Sequence, residues 1–401
     1  MSSGGLANAR LGHLRESMAA HVDRGAVPGV VTVVSRRGEI HVDAVGEATL
    51  EGEPMRDDTI FRISSMTKPV TAVAAMILVE ECRLRLDEPV DPWLPELADR
   101  RVGPSLDAPL DGTVAADRPI TTRDLLTSCM GFGLVMAMPG TYPIQVAAAD
   151  LDLGQGPPSP DVQPAPDEWM RRLGSLPLMF QPGERWVYDT PFDVLGVLVA
   201  RAAGQSLPEF LRERIFDPLG MRDTGFRVPA ASLGRFATQY VSDDETGAPS
   251  VYDPPEGQWS HQPAFPSGSG GLVSTAADFA AFAQMLLDGG RRDSDRILSR
   301  PTVEVMTIDH LRPAQKEGAD ISPGFFASHG WGFGVAVTTQ RITAADPVGA
   351  YGWDGGLGTS WRNDPSEQLF GILLTQAMWT SPTAPPVCED FWTGVYQAID
   401  D

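Results

Sequence analysis

The apolar residues along the chain change their period three times. Over residues 6–22, Leu11, Leu14, Met18, Ala19 and Val22 fall on one helical face and predict an opening helix. Residues 29–35 then carry the β-branched run Val30-Val31-Thr32-Val33-Val34, Arg36-Arg37-Gly38 supplies turn chemistry, and alternation resumes over 39–45. Branched side chains suit a pleated surface, so two antiparallel strands joined as a hairpin are predicted. From about 67 to about 220 the helical period dominates, over 70–81, 122–126, 167–173, 192–203 and 207–215, with Pro-rich and Gly-rich connections. Strand-like runs return at 333–339, 358–362 and 369–375, and a helix over about 386–399 closes the chain.

That order predicts an α+β fold: an antiparallel sheet built from both ends of the sequence and flanked by helices, with an all-helical domain inserted between its halves. The expected division is a sheet domain of residues 1–66 and 221–401 and a helical domain of residues 67–220. Inside the helical part, residues 131–166 are rich in Pro and Gly and nearly aperiodic, too long for a plain connection. They are expected to form a lid over a binding site, with Tyr142, Pro143, Ile144 and Val146 as the apolar cluster lining an acyl pocket. No internal repeat is present.

Composition narrows the classes of function. Of 401 residues, 42% are hydrophobic and 21% charged, the balance of a folded globular protein. The 31 basic against 53 acidic residues give a net charge of −22, which repels phosphate backbones and anionic lipid heads. Nucleic acid and membrane surfaces are therefore excluded as expected partners, and the dispersed acids read as solubility. Residues 1–24 contain no apolar run of the kind a signal peptide or membrane span requires, and Cys82, Cys129 and Cys388 are too scattered for a disulfide framework. A cytoplasmic protein with reduced thiols is expected. The six histidines (His13, His21, His41, His261, His310, His329) show no metal-ligand spacing and are expected on the surface or in loops, so neither metal nor cofactor is expected. No feature of the sequence fixes an oligomeric state.

The segment Phe61-Arg62-Ile63-Ser64-Ser65-Met66-Thr67-Lys68 leads into the apolar helix at 70–78 and puts Ser65 and Lys68 on one helical face. A serine hydroxyl is a weak nucleophile until a base takes its proton. Burial disfavours an ammonium, so Lys68 is expected to have a lowered pKa and to serve as base or proton relay. The helix start directs amide N–H groups and positive dipole at Ser65, which suits an oxyanion. On its own the pair also fits a capping serine beside an exposed lysine. Gly-x-Ser-x-Gly, His-Glu-x-x-His and phosphate-loop motifs are absent, and Gly268-Ser269-Gly270-Gly271 lacks the later glycine of a dinucleotide loop, reading instead as a turn beside the site.

Two further segments give the pair a context: Gln181-Pro182-Gly183-Glu184-Arg185-Trp186-Val187-Tyr188-Asp189-Thr190, before the helix at 192, and Gly352-Trp353-Asp354-Gly355-Gly356-Leu357-Gly358-Thr359-Ser360-Trp361, on the late strands. Together with Ser65-Met66-Thr67-Lys68 they resemble the serine β-lactamase-like superfamily, specifically its class C β-lactamase and family VIII carboxylesterase branch. The likeness runs over nearly the whole chain and includes Leu84-Arg85-Leu86-Asp87-Glu88-Pro89-Val90, Leu125-Leu126-Thr127-Ser128 and Gly270-Gly271-Leu272-Val273-Ser274-Thr275.

The resemblance implies a β-lactamase/transpeptidase-like fold, Ser65 as acylated nucleophile, Lys68 as its helix partner, and Tyr188 as the phenol exchanging protons with nucleophile and leaving group. It implies an oxyanion hole from the amides of Ser65 and Gly356. The third motif of the family is usually Lys or His, then Ser or Thr, then Gly; here Trp353-Asp354-Gly355 stands in its place, as in the family's esterases. That tryptophan version removes the group that would meet the carboxylate of a β-lactam. Trp353, Asp354 and Gly355 are expected to contact substrate, as is Thr190, which stands where the family commonly has Asn and offers only a hydroxyl. The implied activity is hydrolysis of a small-molecule carboxylic ester through an acyl-enzyme on Ser65. β-Lactamase, amide hydrolase or acyltransferase activity on the same site remains the alternative, and an inactive ligand-binding homologue a more distant one. Arg62, Arg185 and Arg362 are the arginines that would replace the missing cation if they reached the site.

Overall fold

A computed structural model describes residues 4–154, 156–243, 247–293 and 295–401. Seven strands form the main sheet: β1 (Gly29–Arg36), β2 (Glu39–Gly46), β3 (His329–Trp331), β4 (Ala336–Thr338), β5 (Tyr351–Gly355), β6 (Thr359–Asp364) and β7 (Leu369–Thr375). Their spatial order is β3-β4-β5-β6-β7-β1-β2, and every neighbouring pair is antiparallel. The first and last parts of the chain meet where β1 pairs with β7, Val30 opposite Thr375 and Arg36 opposite Leu369. The sheet with its flanking helices is thus the α+β architecture expected from the sequence.

The run in β1 is buried at every position because the sheet is covered on both faces. Side chains alternate across a strand. Val30 and Val34 accordingly join Leu11, Leu14 and Met18 of helix α1 (Asn8–Asp23). Val31 and Val33 turn to the opposite, larger core. In that larger core, helix α2 (Thr67–Glu80) is buried at every residue from Thr67 to Leu78, so it runs through the interior. Further helices are α3 (Pro143–Asp150), α4 (Thr190–Ala203), α5 (Ala276–Leu287) and α6 (Pro386–Gln397). Phe279 and Phe282 of α5 pack on Trp361 of β6, while Phe391 and Trp392 of α6 close the outer face beside α1.

The fold corrects some expectations. The segment 131–166 is not aperiodic throughout, since it contains α3 with Pro143 in its first turn, where a missing N–H costs nothing. His21 is not a surface residue: it lies 1% exposed on the packed face of α1 and pairs with Asp390 of α6 at 2.7 Å. Strands β3 and β5 carry few branched residues, and tertiary pairing rather than local propensity makes them strands. Among the described residues no helix is long and apolar enough to cross a membrane, and no cluster of three or more His, Cys, Asp or Glu has metal-binding geometry. Cys82 is exposed, Cys129 and Cys388 are buried, and all three are free thiols.

Candidate active site

The turn before α2 is clamped from two sides. Phe61 and Arg62 pair with Ser274 and Val273, the Ile63 amide donates to Leu272 O at 3.0 Å, and the Leu272 amide donates to Thr67 Oγ1 at 3.1 Å. From β6, Thr359 Oγ1 donates to Ile63 O at 3.1 Å. A Cβ on Gly355 would lie 2.3 Å from that same carbonyl, so only glycine lets β5 come this close. Held between these contacts, Ser64 adopts φ +46°, a left-handed conformation costing about 1–3 kcal/mol for a non-glycine residue. The strained residue leads directly into Ser65, which sits in a single 3₁₀ turn at the start of α2 and opens to a cavity of about 630 Å³.

Lys68, one turn on, is completely buried. Its three N–H donors are all used, on Ser65 Oγ at 3.0 Å, Asp189 Oδ1 at 2.8 Å and Ser269 O at 2.9 Å. This corrects the expectation of a lowered pKa. Burial does push the ammonium down, but the Asp189 carboxylate and the neighbouring Tyr188 outweigh it, and the pKa is raised. The same surroundings that raise its pKa, chiefly the Asp189 carboxylate, hold Lys68 toward its ammonium form.

Tyr188 is buried as well. Its ring lies 4.3 Å from Lys68 Nζ, and its hydroxyl oxygen accepts the indole N–H of Trp353 at 2.5 Å. Trp186, Trp331 and Trp353 surround the ring at centroid distances of 5.4, 6.1 and 5.5 Å. Burial raises the phenol pKa most strongly; Lys68 and the hydrogen bonds to Ser65 and Trp353 pull it back, and the net shift is upward. Trp353 therefore also orients the phenol through its N–H, beyond the substrate contact expected of it.

Two carboxylates at the site were not anticipated. Asp189 has φ +77° and ψ −81°, a strained turn at the N-cap of α4, and this geometry aims its carboxylate at Lys68. Asp193, buried one turn into α4, accepts from Ser267 Oγ at 2.6 Å and from the Ser269 amide at 3.1 Å. It thereby fixes the turn whose Ser269 carbonyl receives Lys68. An acid within the apolar run Phe192-Asp193-Val194-Leu195 is the sequence signal that would have found it.

Burial, with the charge of Asp189, pushes the Asp193 carboxyl up to about 7. Between about pH 4 and about 7 the folded chain then holds a proton that the unfolded chain has lost, so this group makes stability fall as pH rises through that window. Asp193→Asn is expected to flatten that part of the slope, which melting temperatures taken across the window would reveal; an unchanged slope would place its origin elsewhere.

The remaining expected contacts divide. Trp353, Asp354 and Gly356 line the cavity with Ser65, Tyr188 and Asp189. The Asp354 carboxylate is engaged by Ser360 Oγ at 2.5 Å. Gly355 serves the packing described above and is not in the cavity wall. Thr190 is 3% exposed in the first turn of α4, also outside the wall, and Asp189 rather than Thr190 meets the lysine. Tyr142 is the N-cap of α3, Ile144 is buried beneath it and Val146 faces outward, so the lid touches the cavity through Leu134, Met136, Pro157, Pro158 and Val162 instead. Arg62 is sunk against Asp253, with Nη1 donating to Ala237 O at 2.7 Å. Arg185 stacks on Phe180, and only Arg362 of the three reaches the cavity wall. The amides of Ser65 and Gly356 have no acceptor among the described residues, and the position a Gly356 Cβ would take is open space.

The chain is similar to known proteins over most of its length. The chain matches the Beta-lactamase family over residues 14–385. It is 38% identical over 362 residues to "Protein Rv1367c" of Mycobacterium tuberculosis, covering 88% of this chain and 87% of that one. It is 33% identical over 380 residues to "Esterase EstB" of Burkholderia gladioli, covering 89% and 88%. Among solved structures, "EstCE1, a hydrolase with promiscuous acyltransferase activity" superimposes with a TM-score of 0.81 at 26% identity, covering 97% of this chain and 98% of the other.

Proposed function

Since the chain belongs to the beta-lactamase family, we propose that it is a serine hydrolase of carboxylic esters that works through an acyl-enzyme on Ser65. The observation that carries this reading is Ser65 Oγ hydrogen-bonded by buried Lys68, whose Nζ also lies 4.3 Å from the Tyr188 ring, on the wall of a cavity whose other walls are mainly apolar. The esterase relative supports the choice of ester over other acyl compounds.

In this scheme Ser65 Oγ bonds to the ester carbonyl carbon as Tyr188, in its phenolate form, takes the hydroxyl proton. The Lys68 cation beneath the ring and the Trp353 N–H on the phenol oxygen stabilise that form. The carbonyl oxygen gathers negative charge and is received by the free amides of Ser65 and Gly356. Collapse breaks the bond to the alcohol, which leaves with the proton from Tyr188. Water then attacks the acyl-enzyme by the same steps in reverse roles, releasing the acid and restoring Ser65.

Because the phenol pKa is raised, activity should climb as pH rises toward the point where the Lys68 and Tyr188 pair loses a proton as a unit. Trp353→Phe removes a donor that favours phenolate, so the rising limb of kcat/KM against pH should move to higher pH; a limb that stays in place would remove Trp353 from the proton-transfer apparatus.

Acyl transfer to an alcohol on the same acyl-enzyme is the second reading. It is favoured by a cavity large enough to hold an acyl chain and an acceptor together, and by the activity of EstCE1. A fluorophosphonate probe tests the common intermediate: labelling of the parent and not of Ser65→Ala is expected, and equal labelling of both would overturn the proposal. A panel of p-nitrophenyl esters with and without added alcohol then separates hydrolysis from transfer.

A further inference from the structure

In the mechanism above, the leaving alcohol must depart beside the Tyr188 hydroxyl, which returns its proton. From Tyr188 a continuous line of rings runs away from Ser65: Tyr188 to Trp353 at 5.5 Å, Trp353 to Phe325 at 5.8 Å, Phe325 to His329 at 5.1 Å. The alcohol side of the cavity follows these rings to the edge of the sheet. There Ala336, Gly352 and Arg362 stand opposite one another on β4, β5 and β6, so they share one sheet face, and all three line the cavity. Ala336 is small, while Gly352 lets β5 close on β6, since a Cβ there would strike the backbone of Trp361 and Arg362.

Arg362 is, among the described residues, the only lysine or arginine in the cavity wall. Its guanidinium lies 4.8 Å above the Trp392 ring and makes a single long hydrogen bond, Nη1 to Asp346 Oδ1 at 3.4 Å. A guanidinium has five N–H donors in a fixed fork, and most of them here have no acceptor among the described residues. The lysine at the other end of the cavity has none to spare. Asp346 already pairs with the guanidinium, so a further carboxylate would gain less than at a bare cation, whereas an uncharged oxygen would take the remaining donors without repulsion from Asp346. Gly352, the partner of Arg362, is four residues from Gly356, which is about 13 Å along an extended strand.

We propose that the natural substrate is an ester whose alcohol carries an uncharged oxygen acceptor (carbonyl, ether or hydroxyl) roughly 10 Å from the scissile carbonyl, and that Arg362 is the residue that selects it. The inference rests on the ester-hydrolase reading and adds the chemical class of the leaving group. The acyl part then occupies the opposite arm, lined by Met136, Pro157, Pro158 and Val162.

The test uses butyrate esters of 4-hydroxybiphenyl and of its 4′-carboxamide and 4′-carboxylate, which place the far group at that distance. In the parent, kcat/KM for the carboxamide should exceed that for the unsubstituted ester about tenfold or more, through KM, as expected for a hydrogen bond to a charged group. In Arg362→Met the ratio should fall to about one, Arg362→Lys should keep part of it, and Ala336→Leu, which narrows the passage without touching the charge, should lower it too. A parent ratio near one, a ratio unmoved in Arg362→Met, or a preference for the carboxylate would each overturn the proposal. Calorimetric binding of the free carboxamide alcohol to parent and Arg362→Met needs no turnover, so selective binding without hydrolysis would refute the esterase reading alone. Turnover indifferent to Arg362 would refute the subsite alone.

Discussion

Ser65→Ala is expected to lower kcat for p-nitrophenyl butyrate by roughly 10⁴-fold or more, because, among the described residues, Ser65 supplies the serine hydroxyl that Lys68 contacts. Lys68→Met and Tyr188→Phe should each cost about a hundredfold or more, and the double variant little beyond the worse single, since groups that transfer one proton fail together. Lys68→Met carries a second consequence. It leaves Asp189, whose side chain is 15% exposed, as an unpaired and mostly buried charge in a strained backbone, and removing one partner of such a pair costs about 3–5 kcal/mol. Adding Asp189→Asn to Lys68→Met should therefore restore much of the melting temperature and none of the activity. Recovery of activity in the double variant would show that Lys68 acts only by holding the fold, and near-parental turnover in Ser65→Ala would end the acyl-enzyme proposal.

Simple esters are expected to be hydrolysed orders of magnitude faster than a chromogenic cephalosporin or a penicillin. A β-lactam sets a carboxylate close to its scissile amide, and a desolvated carboxylate without a partner costs several kcal/mol, each ~1.4 kcal/mol being tenfold in kcat/KM. Near Ser65 the three donors of Lys68 are spent, Trp353 gives its N–H to Tyr188, and Arg62 is locked to Asp253. Arg362, held only by its long bond to Asp346 and its stack on Trp392, lies beside Gly352, four residues down β5 from Gly356 and too remote for a group adjoining the reacting bond. Steady-state kcat/KM values for p-nitrophenyl acetate, p-nitrophenyl butyrate and nitrocefin decide the matter. Parity or preference for nitrocefin would replace the esterase reading with a β-lactamase one.

Several features were readable before any coordinates, for physical reasons tied to local pattern. The branched run at Val30 to Val34 and the helical period after Lys68 express chain-local geometry, and both elements stand where the period put them. Ser65 and Lys68 are adjacent because three residues make nearly one helical turn, a distance fixed by the helix itself. The lid was legible as an unusual segment from its Pro and Gly content, but its inward and outward faces were not. Tyr142 and Ile144 went to capping and packing, because the start of α3 decides orientation there and hydrophobicity alone does not.

What the sequence determined by itself, then, is the order of elements, the sheet shared between both ends of the chain, and the adjacency of Ser65 and Lys68. Only the tertiary structure decided their charge state and surroundings. Whether Lys68 is an amine or an ammonium depends on a carboxylate 121 positions away in the chain, delivered by the turn at Asp189. The Trp353 bond to Tyr188 joins residues 165 apart, and Ala336, Gly352 and Arg362 stand side by side because β4, β5 and β6 pair in one register. Periodicity records which way a side chain faces on its own element. Electrostatics and hydrogen bonding depend on what other elements bring within a few ångströms, and that is settled only when the chain closes on itself.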